Sequence, residues 1–368
     1  MKAAVTDRPG VVTVAERPEP PAPAPGETIL RIEAVGICGS DLHLYRGDLG
    51  ESHHGLLPRV QGHEVSAVVE VPDPAGPAPG CAELAVGDRV VVWPVVGCGR
   101  CRMCAGGRAN VCRDLAIIGV HRDGALQELV AVPTANVVAA PGLAASEAVL
   151  AEPASISVHA VERGRVRAGE RIVVLGAGPI GATAALAAAA RGADVVVVDP
   201  VGSRRDRLAA NGFEVTDPGA ADLAEVLAGR HGSDGPHVVI DTTGRADVLA
   251  TAIEVVGHGG RIVVVGLTAE SAPLGPGALP LKELDVLGVS CCHRAELAAA
   301  LDLLRDHRTF ASTLVSHVLA LDEVGDAFEM LDRSPHEVSK VLVDLRDDAS
   351  GAAAATTTTS VAATGVPT

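Results

Sequence analysis

Eight cysteines occur in this chain, and four of them, Cys98, Cys101, Cys104 and Cys112, fall in one glycine-rich stretch with the spacing C-x2-C-x2-C-x7-C. Four thiolates that close in sequence can complete a tetrahedral shell around one Zn²⁺. An all-thiolate shell has no open position for a substrate and therefore belongs to structural zinc. The alternative is reduced cysteines or two local disulfides, which the sparse, clustered cysteine usage disfavours. A second set of metal-binding residue types lies around the first. Cys38 opens the segment CGSDLH and His63 stands in GHE, while Glu64 or the distant Glu152 offers a carboxylate. Three protein ligands and one exchangeable position make a catalytic zinc arrangement.

A third pattern is Gly176-Ala177-Gly178-Pro179-Ile180-Gly181. It follows a β-rich run and opens an alanine-rich helical one, the context in which G-x-G-x-x-G holds a dinucleotide. Gly176 suits the tight turn, Gly178 the close approach to pyrophosphate, and Gly181 the packing of helix on strand. Pro179 suits the first helical position. The helix N-terminus then faces the pyrophosphate with its partial positive charge. Asp199 ends the next strand, where a carboxylate accepts hydrogen bonds from the adenosine ribose and repels a 2′-phosphate. NAD is therefore expected over NADP, with Arg204 and Arg205 as residues that could favour the phosphate instead.

The elements that must position these groups change character along the chain. Up to about residue 155 there are short β-rich runs, at 28–35, 65–71, 89–96 and 126–132, broken by Gly and Pro, and the metal residues are expected on loops between them. From about residue 166 strands alternate with helices, with runs at 171–175, 193–198, 237–241 and 261–266 and a helix near 246–256. That alternation indicates a doubly wound parallel sheet. The 368 residues suggest two domains. Hydrophobic residues make up 48% and aromatics only 1%, so the core is built from Val, Ala, Leu and Ile. A net charge of −16 argues against nucleic-acid or anionic-membrane partners. No apolar run is long enough to span a bilayer, and MKAAVTDRPG has no signal-peptide core, so a reducing cytoplasm is expected. Residues 347–368, mostly Ala, Thr, Gly and Ser, are expected to be disordered.

CGSDLH, GHE, the four-cysteine loop, AEPASISVHAV from Ala151 and VVLGAGPIG from Val173 are collinear. Together they resemble the zinc-dependent medium-chain alcohol/polyol dehydrogenases over roughly residues 1–345. The resemblance implies a GroES-like β-rich catalytic domain, 1–155 and again 290–346, around a Rossmann NAD-binding domain, 156–289. It implies two Zn²⁺ and NAD, a small alcohol substrate, and a homodimer or homotetramer. It also implies a proton relay through Ser40 and His43, and a nicotinamide lying near Gly266 and Leu267. Glu152 stands where liver-type enzymes have a second cysteine. This places the chain with the polyol, threonine and sugar-acid branches, and IGVHRDG around His121 is similar to galactonate 5-dehydrogenases. Glu64 and Glu152 are expected to alternate, one on the metal and one behind it, since both together would over-neutralise Zn²⁺. The expected reaction is hydride transfer between a secondary alcohol, a polyol or sugar acid, and the nicotinamide. The alternatives are a threonine-type or general alcohol dehydrogenase, or a catalytically silent relative. Cys291 and Cys292 are expected to wall the substrate cleft. Arg294, His53 and His54 are candidate substrate contacts, each with a surface role as the alternative, and Cys81 is expected to be a free thiol.

Overall fold

The computed structural model describes residues 1–48, 55–219, 223–231, 234–268, 271, 277–334 and 336–346. His53, His54 and the segment 347–368 lie outside the described residues. Two large sheets divide the work. Strands Glu214–Thr216, Asp194–Val198, Arg171–Leu175, Val238–Asp241, Arg261–Val264 and Asp285–Gly288 lie in that order in a six-stranded sheet whose pairings are all parallel. Its central strands are unbroken runs of buried Val, Ile and Leu, as expected of a sheet covered on both faces. The sequence order reverses beside Arg171–Leu175, which pairs with both Asp194–Val198 and Val238–Asp241. A doubly wound sheet opens its ligand crevice at such a switch point.

The second sheet has seven strands, mostly antiparallel. Its centre is Glu27–Gly36, paired with Glu64–Val71, Leu129–Pro133 and the C-terminal strand Lys340–Asp344. The run expected over 89–96 is two strands, Arg89–Val92 and Val95–Val96, on either side of Trp93 and Pro94. A proline has no N–H for a ladder, so the break falls there. Likewise 126–132 begins as a turn, with Leu126 donating its N–H to Gln61, and becomes strand only at Leu129–Pro133. Core contacts are almost all aliphatic, and the few aromatics are used at fixed points, such as Tyr45 stacked on Phe328 with ring centroids 5.0 Å apart.

One helix joins the two sheets. Ala151–Arg163 packs against Pro179–Ala190 on one side and Arg294–Asp306 on the other. Ser157 donates to the Ile180 carbonyl at 2.9 Å and lies 2.7 Å from Thr183 Oγ1. Ser155 donates to Cys292 Sγ at 3.0 Å, and the Cys292 carbonyl also accepts from the Trp93 indole at 3.0 Å. Glu152, near the start of this helix, is thus fixed relative to both halves of the molecule.

Candidate metal centres and cofactor cleft

The four-cysteine loop wraps a short helix, Arg102–Ala105, capped by Cys101, and a 3₁₀ turn, Ala109–Val111, followed by Cys112. Sulfur atoms of Cys98, Cys101, Cys104 and Cys112 all lie within 4.8 Å of one another. Backbone N–H groups of Cys98 and Asp114 each point at Cys112 Sγ at 3.3 Å, and that of Cys104 at Cys101 Sγ at 3.5 Å. The Cys104 N–H is the main cause that pulls the Cys101 thiol down to about 6, whereas desolvation and the neighbouring thiols push Cys104 up to about 12. Each ionisation in the cluster opposes the next unless a cation is present, so the donor set fits a divalent metal.

The residues of the second candidate set come from distant chain segments, and their ligand atoms are not gathered within 4.8 Å of one another as the four sulfurs are. Cys38 is the N-cap of a two-turn helix, Gly39–Arg46, so Ser40 and His43 sit on a helix rather than the expected loop. Asp41, the third residue of that helix, is fully buried; its Oδ2 accepts from the Cys38 N–H at 2.9 Å. Its Oδ1 accepts from the Gly62 N–H at 3.3 Å and stands 3.5 Å from His63 Nδ1, an ion-pair distance that is long for a hydrogen bond. Burial alone would lower the His63 pKa, yet Asp41 and Cys38 hold it well above the ordinary imidazole value. His63 Nε2 lies 3.2 Å from Ser40 Oγ.

The two glutamates differ. Glu64 is fully buried and both its carboxylate oxygens accept from Lys340 Nζ, at 2.7 and 2.8 Å. Lys340 reaches it because Lys340–Asp344 pairs with Glu27–Gly36, and the same ammonium donates to the Ile37 carbonyl at 3.1 Å. Gly36 makes room: a Cβ there would stand 2.0 Å from Glu64 Oε2. Glu152 is also buried, and among the described residues no hydrogen bond reaches its carboxylate. Desolvation pushes it up to about 7, with His63 pulling the other way. Asp41 and Lys340 are the residues that sequence reasoning missed. The Asp of CGSDLH was visible but unused, and Lys340 carries no local motif.

The glycine turn and Asp199 line a cleft of about 590 Å³ that also takes in Pro179, Ile180 and Arg204. Gly178 caps the helix Pro179–Ala190, with Pro179 in its first turn. A Cβ on Gly181 would stand 1.8 Å from the Gly176 carbonyl oxygen, so strand and helix meet there only through glycine. Asp199 is buried, and its carboxylate accepts from the N–H groups of Ala177 and Val201, both at 2.7 Å. Arg204 Nη1 is 3.8 Å from it, while Arg205 donates to its carbonyl and pairs with Asp217. Gly266 and Leu267 follow the strand Arg261–Val264 and pack backbone to backbone on Gly244; Leu267 is exposed.

Several of the remaining candidates already have partners. Arg294 donates to the carbonyls of Ala135 and Val137, at 2.9 and 2.8 Å, so it braces a turn rather than awaiting a carboxylate. His121 is exposed, with Nδ1 accepting from the Ile117 N–H at 3.2 Å. His43 Nδ1 meets Asp48 at 2.7 Å. Cys291 holds φ +48° and, like Cys292, is a free thiol; both feel the Glu152 charge. Cys81 is also free.

Comparison with known proteins places these features in a family. The model for the alcohol dehydrogenase GroES-like domain matches residues 24–142, and that for zinc-binding dehydrogenase matches 179–306. The L-galactonate-5-dehydrogenase of Escherichia coli K12 is 34% identical over 312 residues, covering 84% of this chain and 89% of the relative. The 2-dehydro-3-deoxy-L-galactonate 5-dehydrogenase of Pseudoalteromonas atlantica is 33% identical, covering 88% and 93%. A structure described as a short chain alcohol dehydrogenase of E. coli CFT073, complexed with the cofactor NADH, superposes with a TM-score of 0.84 at 29% identity, covering 94% and 99%. With a GroES-like domain and a Rossmann sheet in the matching order, the chain belongs to the zinc-dependent medium-chain alcohol dehydrogenase family.

Proposed function

We propose that the protein is an NAD-preferring dehydrogenase that oxidises a secondary hydroxyl of a polyol or sugar acid, with a structural zinc on Cys98, Cys101, Cys104 and Cys112 and a catalytic zinc on Cys38, His63 and Glu152. The observation that carries this reading is the contrast between the two glutamates. Lys340 takes both oxygens of Glu64, and among the described residues no hydrogen bond to the Glu152 carboxylate is seen. Charge agrees with it: one thiolate, one neutral imidazole and one carboxylate balance Zn²⁺, and the Glu64–Lys340 pair adds nothing. Glu64 then tunes the centre from behind rather than alternating with Glu152 on equal terms.

Zinc held there would supply Lewis acidity that makes a substrate hydroxyl acidic near neutrality, and a nicotinamide held at the glycine turn would supply the hydride acceptor. The chain's own groups do the rest. Asp41, its Oδ1 3.5 Å from His63 Nδ1, acts on the His63 ring through its charge. Ser40, beside His63, takes the hydroxyl proton and passes it outward toward His43, one turn further along the same helix and in contact with Asp48. Asp199, set by two backbone donors at the glycine turn, presents its remaining lone pairs to the ribose of the dinucleotide. The aldonate relatives support a hydroxylated acid as substrate. A site built to hydrogen-bond several hydroxyls rejects simple alcohols strongly, because its buried partners are left unpaired.

The test is kcat/KM for L-galactonate, L-gulonate, L-idonate, sorbitol, L-threonine and ethanol, each with NAD and with NADP. An aldonate or polyol with NAD should lead. Ethanol leading would overturn the substrate class, and NADP leading would overturn the reading of Asp199.

A further inference from the structure

Two turns beyond Glu152 on the connecting helix lies His159, buried, about 10 Å along the helix axis from that carboxylate. It faces the start of the helix Arg294–Asp306. His293 is the N-cap of that helix and Glu296 its third residue. Glu296 Oε2 accepts from the His293 backbone N–H at 2.6 Å, and Oε1 lies 2.9 Å from His159 Nδ1. The two imidazoles meet edge to face with centroids 5.1 Å apart. One ligand atom from each of the three side chains falls within 4.8 Å of the other two. Two imidazoles and a carboxylate are a zinc donor set, and they leave a fourth position for water.

A second observation concerns Asn110, 2% exposed. Its Nδ2 donates to the Ser290 carbonyl at 2.9 Å and sits 3.5 Å from His159 Nε2, while its Oδ1 is buried with no hydrogen bond among the described residues. In this arrangement His159 carries its proton on Nδ1, toward Glu296. A metal on Nδ1 moves the proton to Nε2. Rotation of the Asn110 amide would turn the orphaned Oδ1 toward that N–H, in exchange for the Nδ2 hydrogen bond to the Ser290 carbonyl. Metal-bound histidines usually donate their second N–H to an oxygen in this way.

We propose that His159, His293 and Glu296 form a third divalent transition-metal site, with zinc as its first occupant, clamping the helix that carries Glu152 to the one that begins beside Cys292. It depends on neither the substrate nor the dehydrogenase reading. The test is the metal content of the full-length protein after equilibration in zinc-buffered solution, with folding checked by circular dichroism. His293→Ala, at a half-buried position, should lose one zinc equivalent relative to the parent. Glu296→Gln, which keeps the helix cap, should lose the same equivalent and serves if His293→Ala does not fold. Cys38→Ser and Cys101→Ser should each lose a different equivalent, so the His293→Ala/Cys101→Ser double variant should lose two. In cobalt-loaded parent, His293→Ala should remove part of the visible absorption while leaving the thiolate-to-cobalt bands unchanged. Equal zinc content in folded parent, His293→Ala and Glu296→Gln overturns the site. A lower Tm in those variants at unchanged zinc content overturns it too, and identifies a hydrogen-bonded clamp without metal.

Discussion

The four-cysteine loop and the Cys38 centre use the same chemistry and are built in opposite ways. All four donors of the first come from one short stretch, and the loop's own N–H groups already point at the sulfurs. The second, as proposed, draws on Cys38, His63 and Glu152, with Asp41 and Lys340 of the last strand behind them. The first organises a loop; the second has to be organised by the whole fold. A local site therefore fails locally when damaged, whereas the distributed site can lose chemistry without losing structure, or lose structure through a residue that never touches substrate.

The largest expected effect separates chemistry from fold. Cys38→Ser should lower kcat/KM by about 10³, the equivalent of about 4 kcal/mol of transition-state stabilisation, with circular dichroism unchanged. Retained activity would remove Cys38 from the catalytic set. Lys340→Met should destabilise the protein by about 3–5 kcal/mol, because it strands a fully buried carboxylate. Adding Glu64→Gln should restore most of that in denaturant melts; failure to do so would mean that Lys340 acts through packing alone. Cys101→Ser should lose one zinc equivalent and about 3 kcal/mol of stability, while any folded fraction stays active. Loss of specific activity in step with Cys38→Ser would erase the distinction between the two centres. Asp41→Asn should weaken catalytic-site zinc affinity about 10-fold, read by competition with a chromophoric chelator, without changing the zinc of the cysteine loop. The smallest effect is expected at the cofactor. Asp199→Ser should shift the NADP/NAD ratio of kcat/KM toward NADP by about one order of magnitude, and should also cost stability of about 1–3 kcal/mol, because the Ala177 and Val201 N–H groups lose an acceptor.

What was readable in the sequence follows the same division. Spacing alone was enough for the four-cysteine cluster, and the strand–glycine–helix pattern for the parallel sheet, because both are local. The role of Lys340 was not readable, since only strand pairing brings residue 340 to Glu64. Glu64 and Glu152 were equivalent as letters and became distinct only once one had an ammonium partner. Arg294 is read from the sequence first as a surface arginine and second as an anion contact, and it is held by backbone carbonyls, a choice that depends on which turn packs beside it. The helix at Gly39–Arg46 was missed because its apolar pattern is too short to show a period, although Cys38 and Asp41 stand at capping positions.

Trp93 is the chain's single tryptophan, and its indole donates across to the Cys292 carbonyl, where the first part of the chain meets the segment returning from the parallel sheet. The protein thus carries one indole fluorophore, placed at the seam between its two halves. Emission intensity and wavelength report whether that seam is closed, free of contributions from any other indole. Binding, metal removal or unfolding that parts the two halves can be timed in the native sequence, with no label introduced.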